Sequence, residues 1–125
     1  MSEKNFKLLC DSMGKYAQSE FPFEACGIIT QDFNFIPVKN ISNKPRNSFM
    51  LDPTIFIEYE DNIWGIFHSH TEERFSTPSE SDFKQSFWND LKYVLFANGS
   101  FYIYWFDTTN NIKRVEPFNE HHCKN

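Results

Sequence analysis

The segment GIFHSHTEERFSTPSESDF, residues 65–83, ends a short apolar run in two histidines that are one residue apart. His68 and His70 are followed by a polar loop and then by Ser79 and Asp82. The apolar run predicts a buried strand, and a serine followed by acidic residues predicts the start of a helix. Two interpretations are open for this arrangement: polar residues at the protein surface, or a metal site.

Length and composition narrow the class of protein. With 125 residues, the chain is long enough for one domain around a single core. Its 12 lysines and arginines against 17 aspartates and glutamates give a net charge of −5, which disfavours nucleic-acid or anionic-membrane partners. We expect neither a transmembrane helix nor a signal peptide, because no long apolar run or cationic leader is present. Three scattered cysteines fit a reducing compartment, so we expect a cytoplasmic protein.

The order of periodic segments predicts an α+β fold. An amphipathic pattern indicates an N-terminal helix over residues 1–19, and two later helices are expected at 52–61 and 79–90. Apolar or alternating runs predict strands at residues 24–30, 33–40, 63–70, 92–98, 100–107 and 111–118. We therefore expect residues 1–125 to form one domain, a mixed β-sheet flanked by helices, with a flexible tail at residues 119–125.

The two histidines have the spacing of a metal site. Alternation along a strand places His68 and His70 on the same side, about 7 Å apart, with Ser69 on the other. Imidazole nitrogens suit zinc, and catalytic zinc sites use three protein ligands plus a water. Asp82, at the start of the following helix, is the expected third ligand. The alternatives are a pair of strand-end histidines without a metal and an aspartate that only complements the helix dipole.

Hydrolysis at such a site also needs a base and a group that stabilises negative charge. Four glutamates are candidate bases: Glu24, Glu72, Glu73 and Glu80. Glu24 stands out because it begins an apolar run, EACGII, where a buried acid without a partner is costly, although a solvated acid at the start of a strand is the alternative. Ser79 could stabilise an oxyanion or simply cap the helix.

Taken together, these segments resemble the JAMM metallopeptidases, the metal-binding branch of the JAB/MPN-domain family. The family pattern is a glutamate at a strand start, then H-[ST]-H, a spacer and S-x-x-D. The resemblance covers most of the chain, and the matching residues are Glu24, His68, Ser69, His70, Ser79 and Asp82.

The resemblance implies hydrolysis of an amide by a zinc-activated water. His68, His70 and Asp82 would hold the ion, Glu24 would pass the proton of the water to the leaving amine, and Ser79 would stabilise the tetrahedral intermediate.

The chain departs from the family pattern in the loop. Residues 71–78 form an eight-residue spacer, one residue longer than is usual in the family, and Thr71 stands where many relatives have proline. The extra residue is tolerable because loop-closure entropy rises slowly with length. The differences therefore concern the loop that faces the substrate more than the metal.

The substrate and partners follow from the resemblance alone. The stretch at residues 24–53 is most similar to the phage members, which implies a phage or prophage tail assembly peptidase in the host cytoplasm, with a protein or peptide substrate and tail proteins as partners. A protease of ubiquitin-like sulfur carriers is the first alternative, and an inactive JAB/MPN interaction module is the second. The tail residues His121, His122 and Cys123 are a further possible metal site, although a flexible terminal segment is the expectation.

Overall fold

A computed structural model describes residues 1–73, 75–87 and 90–124 of the protein. The helices are α1 (Glu3–Glu20), α2 (Thr54–Glu58) and α3 (Glu80–Phe87), and a 3₁₀ turn covers Glu120–His122. The strands are β1 (Cys26–Thr30), β2 (Phe35–Val38), β3 (Ile63–Ser69), β4 (Lys92–Ala97), β5 (Ser100–Asp107) and β6 (Ile112–Pro117). Among the described residues, no helix combines the length and apolar character needed to cross a bilayer.

The strands form one six-stranded sheet in the order β2-β1-β3-β4-β5-β6. Of the five pairs of neighbouring strands, β3 and β4 are parallel and the other four pairs are antiparallel. The parallel pair arises because α3 carries the chain from the end of β3 back to the start of β4. The expected α+β domain with a mixed sheet and flanking helices is confirmed.

Side-chain alternation gives the sheet an apolar core on each face. One face packs against α1, whose buried residues Leu9, Met13 and Ala17 contact Phe67 and Val94 of the central strands. The opposite face carries Ile66 and Leu95 and packs against α3. His68 lies two residues after Ile66, so its ring projects into the α3 side of the sheet.

Close packing of β3 against β4 requires a glycine. A Cβ atom on Gly65 would lie 2.6 Å from the carbonyl oxygen of Lys92, its partner in the parallel pair. The start of β3 can therefore approach β4 only without a side chain at this position.

The structure differs from two sequence-based expectations at the ends of elements. Helix α2 covers Thr54–Glu58, whereas a helix over residues 52–61 was expected. Asp52 lies before the helix, where its side chain accepts a hydrogen bond from the Thr54 N–H at 3.0 Å. The expected flexible tail instead forms the 3₁₀ turn, with Cys123 only 1% exposed in the α1 core. Trp88 and Asn89 of the predicted third helix, and Asn125 of the predicted tail, lie outside the described residues.

Candidate metal centre

His68 is completely buried, and one of its ring nitrogens has no hydrogen-bond partner among the described residues. Strand β3 lies between β1 and β4, and the ring of Phe49 stacks on the imidazole at a centroid distance of 4.3 Å. The Nε2 atom lies 2.7 Å from the hydroxyl of Tyr104, whereas Nδ1 has no hydrogen-bond partner among the described residues. Burial lowers the pKa of His68 to about 4, so the imidazole is neutral and its Nδ1 can offer a lone pair.

Glu24 is a buried acid that faces this nitrogen. Its backbone N–H donates to the Pro45 carbonyl at 2.7 Å, and its carbonyl accepts from the Asn40 amide at 2.9 Å. The residue is 7% exposed, and its Oε1 lies 3.9 Å from His68 Nδ1. The alternative of a solvated acid at the strand start is therefore wrong. Burial raises the pKa of Glu24 to about 7, with His70 opposing the shift and Asp82 adding to it.

His70 and Asp82 form a second, directly hydrogen-bonded pair. His70 Nδ1 lies 2.8 Å from the Phe75 carbonyl oxygen, which can only accept, so Nδ1 carries a proton and Nε2 faces Asp82 Oδ2 at 3.1 Å. Burial would lower the pKa of His70, but the bonds to Asp82 and to the Phe75 carbonyl raise it overall. For Asp82 the signs are reversed: burial would raise the pKa of the carboxyl, but His70, His68 and the Ser79 N–H lower it to about 2.

The start of α3 orients Asp82 through a capping box. The Asp82 N–H donates to Ser79 Oγ at 3.1 Å, and the Ser79 N–H donates to Asp82 Oδ2 at 2.9 Å. The predicted helix cap at Ser79 is confirmed. Because its hydroxyl oxygen accepts from the backbone, the hydroxyl proton remains available to a group in the neighbouring cleft.

The donor atoms have the spacing that a metal ion requires. One ligand atom each from Glu24, His68 and His70 lie within 4.8 Å of one another. Metal–ligand bonds of about 2.0–2.1 Å place two donors of a tetrahedral zinc about 3.3 Å apart. The 3.1 Å between His70 and Asp82 and the 3.9 Å between His68 and Glu24 bracket this value. The orphaned Nδ1 and the group of Glu24, His68 and His70 therefore fit a metal, whereas Asp82, the expected third ligand, contacts His70 but lies outside this group of three.

The other candidate residues do not form a comparable cluster. Glu80 is exposed and pairs with Lys113 at 3.4 Å, and Glu72 and Glu73 are exposed in the loop. His122 binds Glu116 at 2.7 Å. Within the described residues, the group of Glu24, His68 and His70 is the only one with three donors close enough for a metal, and it includes none of the tail residues His121, His122 and Cys123.

Glu24, His70, Ser79 and Asp82 line a cleft of about 160 Å³. Its rim includes Arg46 and Phe75, and the Thr71 hydroxyl donates to the Arg46 carbonyl at 3.1 Å, which ties the loop after β3 to residues 40–50. Sequence reasoning missed Phe49, Phe75 and Tyr104. Phe75 contributes through its backbone, and the other two come from distant segments, so no local pattern marked them.

Known proteins resemble this chain in sequence and in fold. The family model of prokaryotic homologues of the JAB domain matches residues 7–114. Tail tip assembly protein K of Escherichia phage N15 is 34% identical over 79 residues, which cover 58% of this chain and 31% of that protein. The chain therefore matches only about a third of that relative's length. A solution structure of a Desulfitobacterium hafniense protein has the same fold, with a TM-score of 0.64 at 20% identity over 95% of this chain and 96% of that one.

The family match spans most of the chain, including the larger part of α1, the Glu24 position, His68, His70 and α3. The sequence resemblance to the JAB/MPN family is thereby confirmed, and the chain belongs to the prokaryotic homologues of the JAB domain.

Proposed function

We propose that this chain is a zinc-dependent amide hydrolase of the JAMM type, a peptidase or isopeptidase, that acts in phage tail assembly. The observation that carries the proposal is the bare, buried Nδ1 of His68, which faces Glu24 beside the second histidine. A buried nitrogen without a partner is costly, and a metal ion is a group that would satisfy it.

Three residues would hold the ion. His68 would bind through its unpartnered Nδ1, His70 through Nε2, and Asp82 through the Oδ2 that lies 3.1 Å from this Nε2. The Phe75 carbonyl supports this role by keeping the proton of His70 on Nδ1. When bound, zinc supplies a Lewis acid and lowers the pKa of a coordinated water.

The remaining residues would move a proton and stabilise charge. Glu24 would take the proton of the attacking water and deliver it to the leaving amine, because its carboxylate faces the same cleft. The Ser79 hydroxyl would donate to the negative charge that develops on the substrate carbonyl oxygen, because its own oxygen already accepts from Asp82.

The biological assignment rests on the phage relative. The name of that relative, a tail tip assembly protein, supports tail proteins as partners and the host cytoplasm as location. A protein or cell-wall peptide amide would be the substrate. A protease of ubiquitin-like carriers and an inactive interaction module are the competing functions, and they predict different outcomes of the same experiment.

Metal content is the first test. Protein made without an affinity tag should carry one zinc per chain, and His70→Ala should lose it. His121→Ala is the matched control and should keep it, because His121 lies in the tail away from the cleft. A His70→Ala protein with full zinc content would contradict the proposed site.

Hydrolysis is the second test. Tail-protein fragments, peptidoglycan stem peptides and a ubiquitin-like carrier fused through its C-terminus should be offered to the zinc-loaded chain. Glu24-dependent cleavage of either of the first two supports the tail assignment. Cleavage of the carrier fusion alone would move the function to carrier processing. Zinc binding without any hydrolysis would support the interaction module.

A further inference from the structure

We propose that Tyr104 is a positioning residue of the metal centre: its hydroxyl oxygen accepts the Nε2–H of His68 and so presents Nδ1 to the ion. This inference rests on the proposed metal site and adds to it a residue that lies 36 positions from His68 in the sequence. It also specifies which nitrogen of His68 binds.

Tyr104 is rigidly held where it meets His68. It lies on β5, one strand beyond β4, and is 0% exposed. Its ring stacks on Tyr93 at a centroid distance of 5.3 Å and meets Phe83 edge-on at 5.2 Å. Because the side chain is fully buried against these rings, the hydroxyl has little freedom to leave its position 2.7 Å from His68 Nε2.

The tautomer of His68 follows if Nδ1 is the metal ligand. A neutral imidazole has one N–H and one lone pair, and a metal takes the lone pair. With Nδ1 as ligand, the proton sits on Nε2 and needs an acceptor. His68 is completely buried, and Tyr104 is the only hydrogen-bond partner of Nε2 among the described residues. The tyrosine oxygen is therefore the acceptor that permits coordination through Nδ1.

The two histidines would then bind through opposite ring nitrogens. His70 has its Nδ1 proton on the Phe75 carbonyl and directs Nε2 to the site, whereas His68 has its Nε2 proton on Tyr104 and directs Nδ1 to the site. This difference explains how two side chains on one face of a strand can converge on one ion. One ligand uses the ring atom close to the backbone and the other uses the distant one.

Zinc affinity of a tyrosine pair tests the positioning role. Tyr104→Phe keeps the ring but removes the acceptor, so zinc should bind about 10- to 100-fold more weakly, the usual loss when the partner of a metal ligand is removed. Tyr93→Phe is the matched control, because it removes a hydroxyl from the same core cluster without a contact to His68 Nε2, and its affinity should match that of the unmodified chain. Equal affinities in the two variants would overturn the proposal.

A direct measurement on the unmodified chain covers the case in which Tyr104→Phe fails to fold. Protein with ¹⁵N-labelled histidine and ¹¹³Cd in place of zinc should show scalar coupling from cadmium to Nδ1 of His68 and to Nε2 of His70. Coupling to Nε2 of His68 would overturn the role of Tyr104 while leaving the metal site intact. Failure of the unmodified chain to bind either metal would instead overturn the proposed function itself, and the inference with it.

Discussion

Replacing Glu24 by glutamine separates two roles that the geometry leaves open for this carboxylate. Its ligand atom groups with those of His68 and His70, yet Asp82 lies only 3.1 Å from His70 Nε2, so either acid could complete the ligand set. Glutamine has the shape of glutamate, and the hydrogen bonds that hold residue 24 use its backbone N–H and carbonyl. The variant should therefore fold normally.

The expected result is a loss of rate without a loss of metal. Removal of a general base commonly costs about 10²- to 10⁴-fold in rate, which corresponds to an activation barrier about 2.7–5.4 kcal/mol higher. The zinc affinity of Glu24→Gln should fall by less than about tenfold, the lower end of the loss for a supporting residue. Asp82→Asn should lose at least about 100-fold in zinc affinity, because it removes a ligand, although an asparagine oxygen can still accept from the Ser79 N–H.

The assay is a competition titration of zinc and a turnover measurement on the same preparations. Glu80→Gln is the control, since it makes the same chemical change on an exposed residue, and both quantities should be unchanged. The reasoning is refuted if Glu24→Gln loses zinc while Asp82→Asn retains it, because Glu24 would then be the third ligand. Unchanged turnover in Glu24→Gln would transfer the base role to Glu72 or Glu73.

Three further predictions concern the scaffold. Gly65→Ala should destabilise the protein by about 1–3 kcal/mol in urea unfolding, because its Cβ would meet a backbone oxygen at 2.6 Å. Gly14→Ala is the control and should be neutral or stabilising, because its Cβ has only a 3.6 Å contact with the Phe101 ring. Ser69→Ala should lower the free energy of unfolding by about 1–3 kcal/mol in the same measurement, because Ser69 Oγ accepts from the buried N–H of Ala25 at 2.9 Å. Ser69→Thr retains an acceptor and is the control. Equal stability of the two variants would contradict this role of Ser69. Burial raises the pKa of all three thiols, Cys10, Cys26 and Cys123, from 9.0 to about 11 or 12. At pH 8 the folded protein should therefore contain at least about 100-fold less thiolate than the unfolded chain, and iodoacetamide should react slowly until the pH rises or denaturant is added. Fast alkylation of the folded chain at pH 8 would contradict this.

Much of the fold was predictable because its signals are local. Apolar alternation predicted the six strands, and the 3.6-residue period predicted α1. The same local rules placed His68 and His70 on one side of β3 and predicted the cap at Ser79, since strand alternation and helix capping involve only residues close in sequence. The composition and order of these motifs were also enough to indicate the JAB family.

The features that turn these residues into a site depend on contacts between distant segments. Glu24 is buried because residues 40–50 fold over it, a packing that no pattern near residue 24 reveals. Tyr104 meets His68 across 36 residues of sequence, only because β4 and β5 follow β3 in the sheet. The tail packs because Cys123 reaches the α1 core, whereas its terminal position suggested a flexible end.

Patterns along the chain were therefore enough to predict the elements, the family and the residue types that could bind a metal. The folded arrangement determines which atoms of these residues face one another, which acids are buried, and which ring nitrogen of His68 has no hydrogen-bond partner among the described residues. Secondary structure and capping depend on neighbours along the chain, whereas burial and hydrogen-bond partners depend on segments brought together by the sheet.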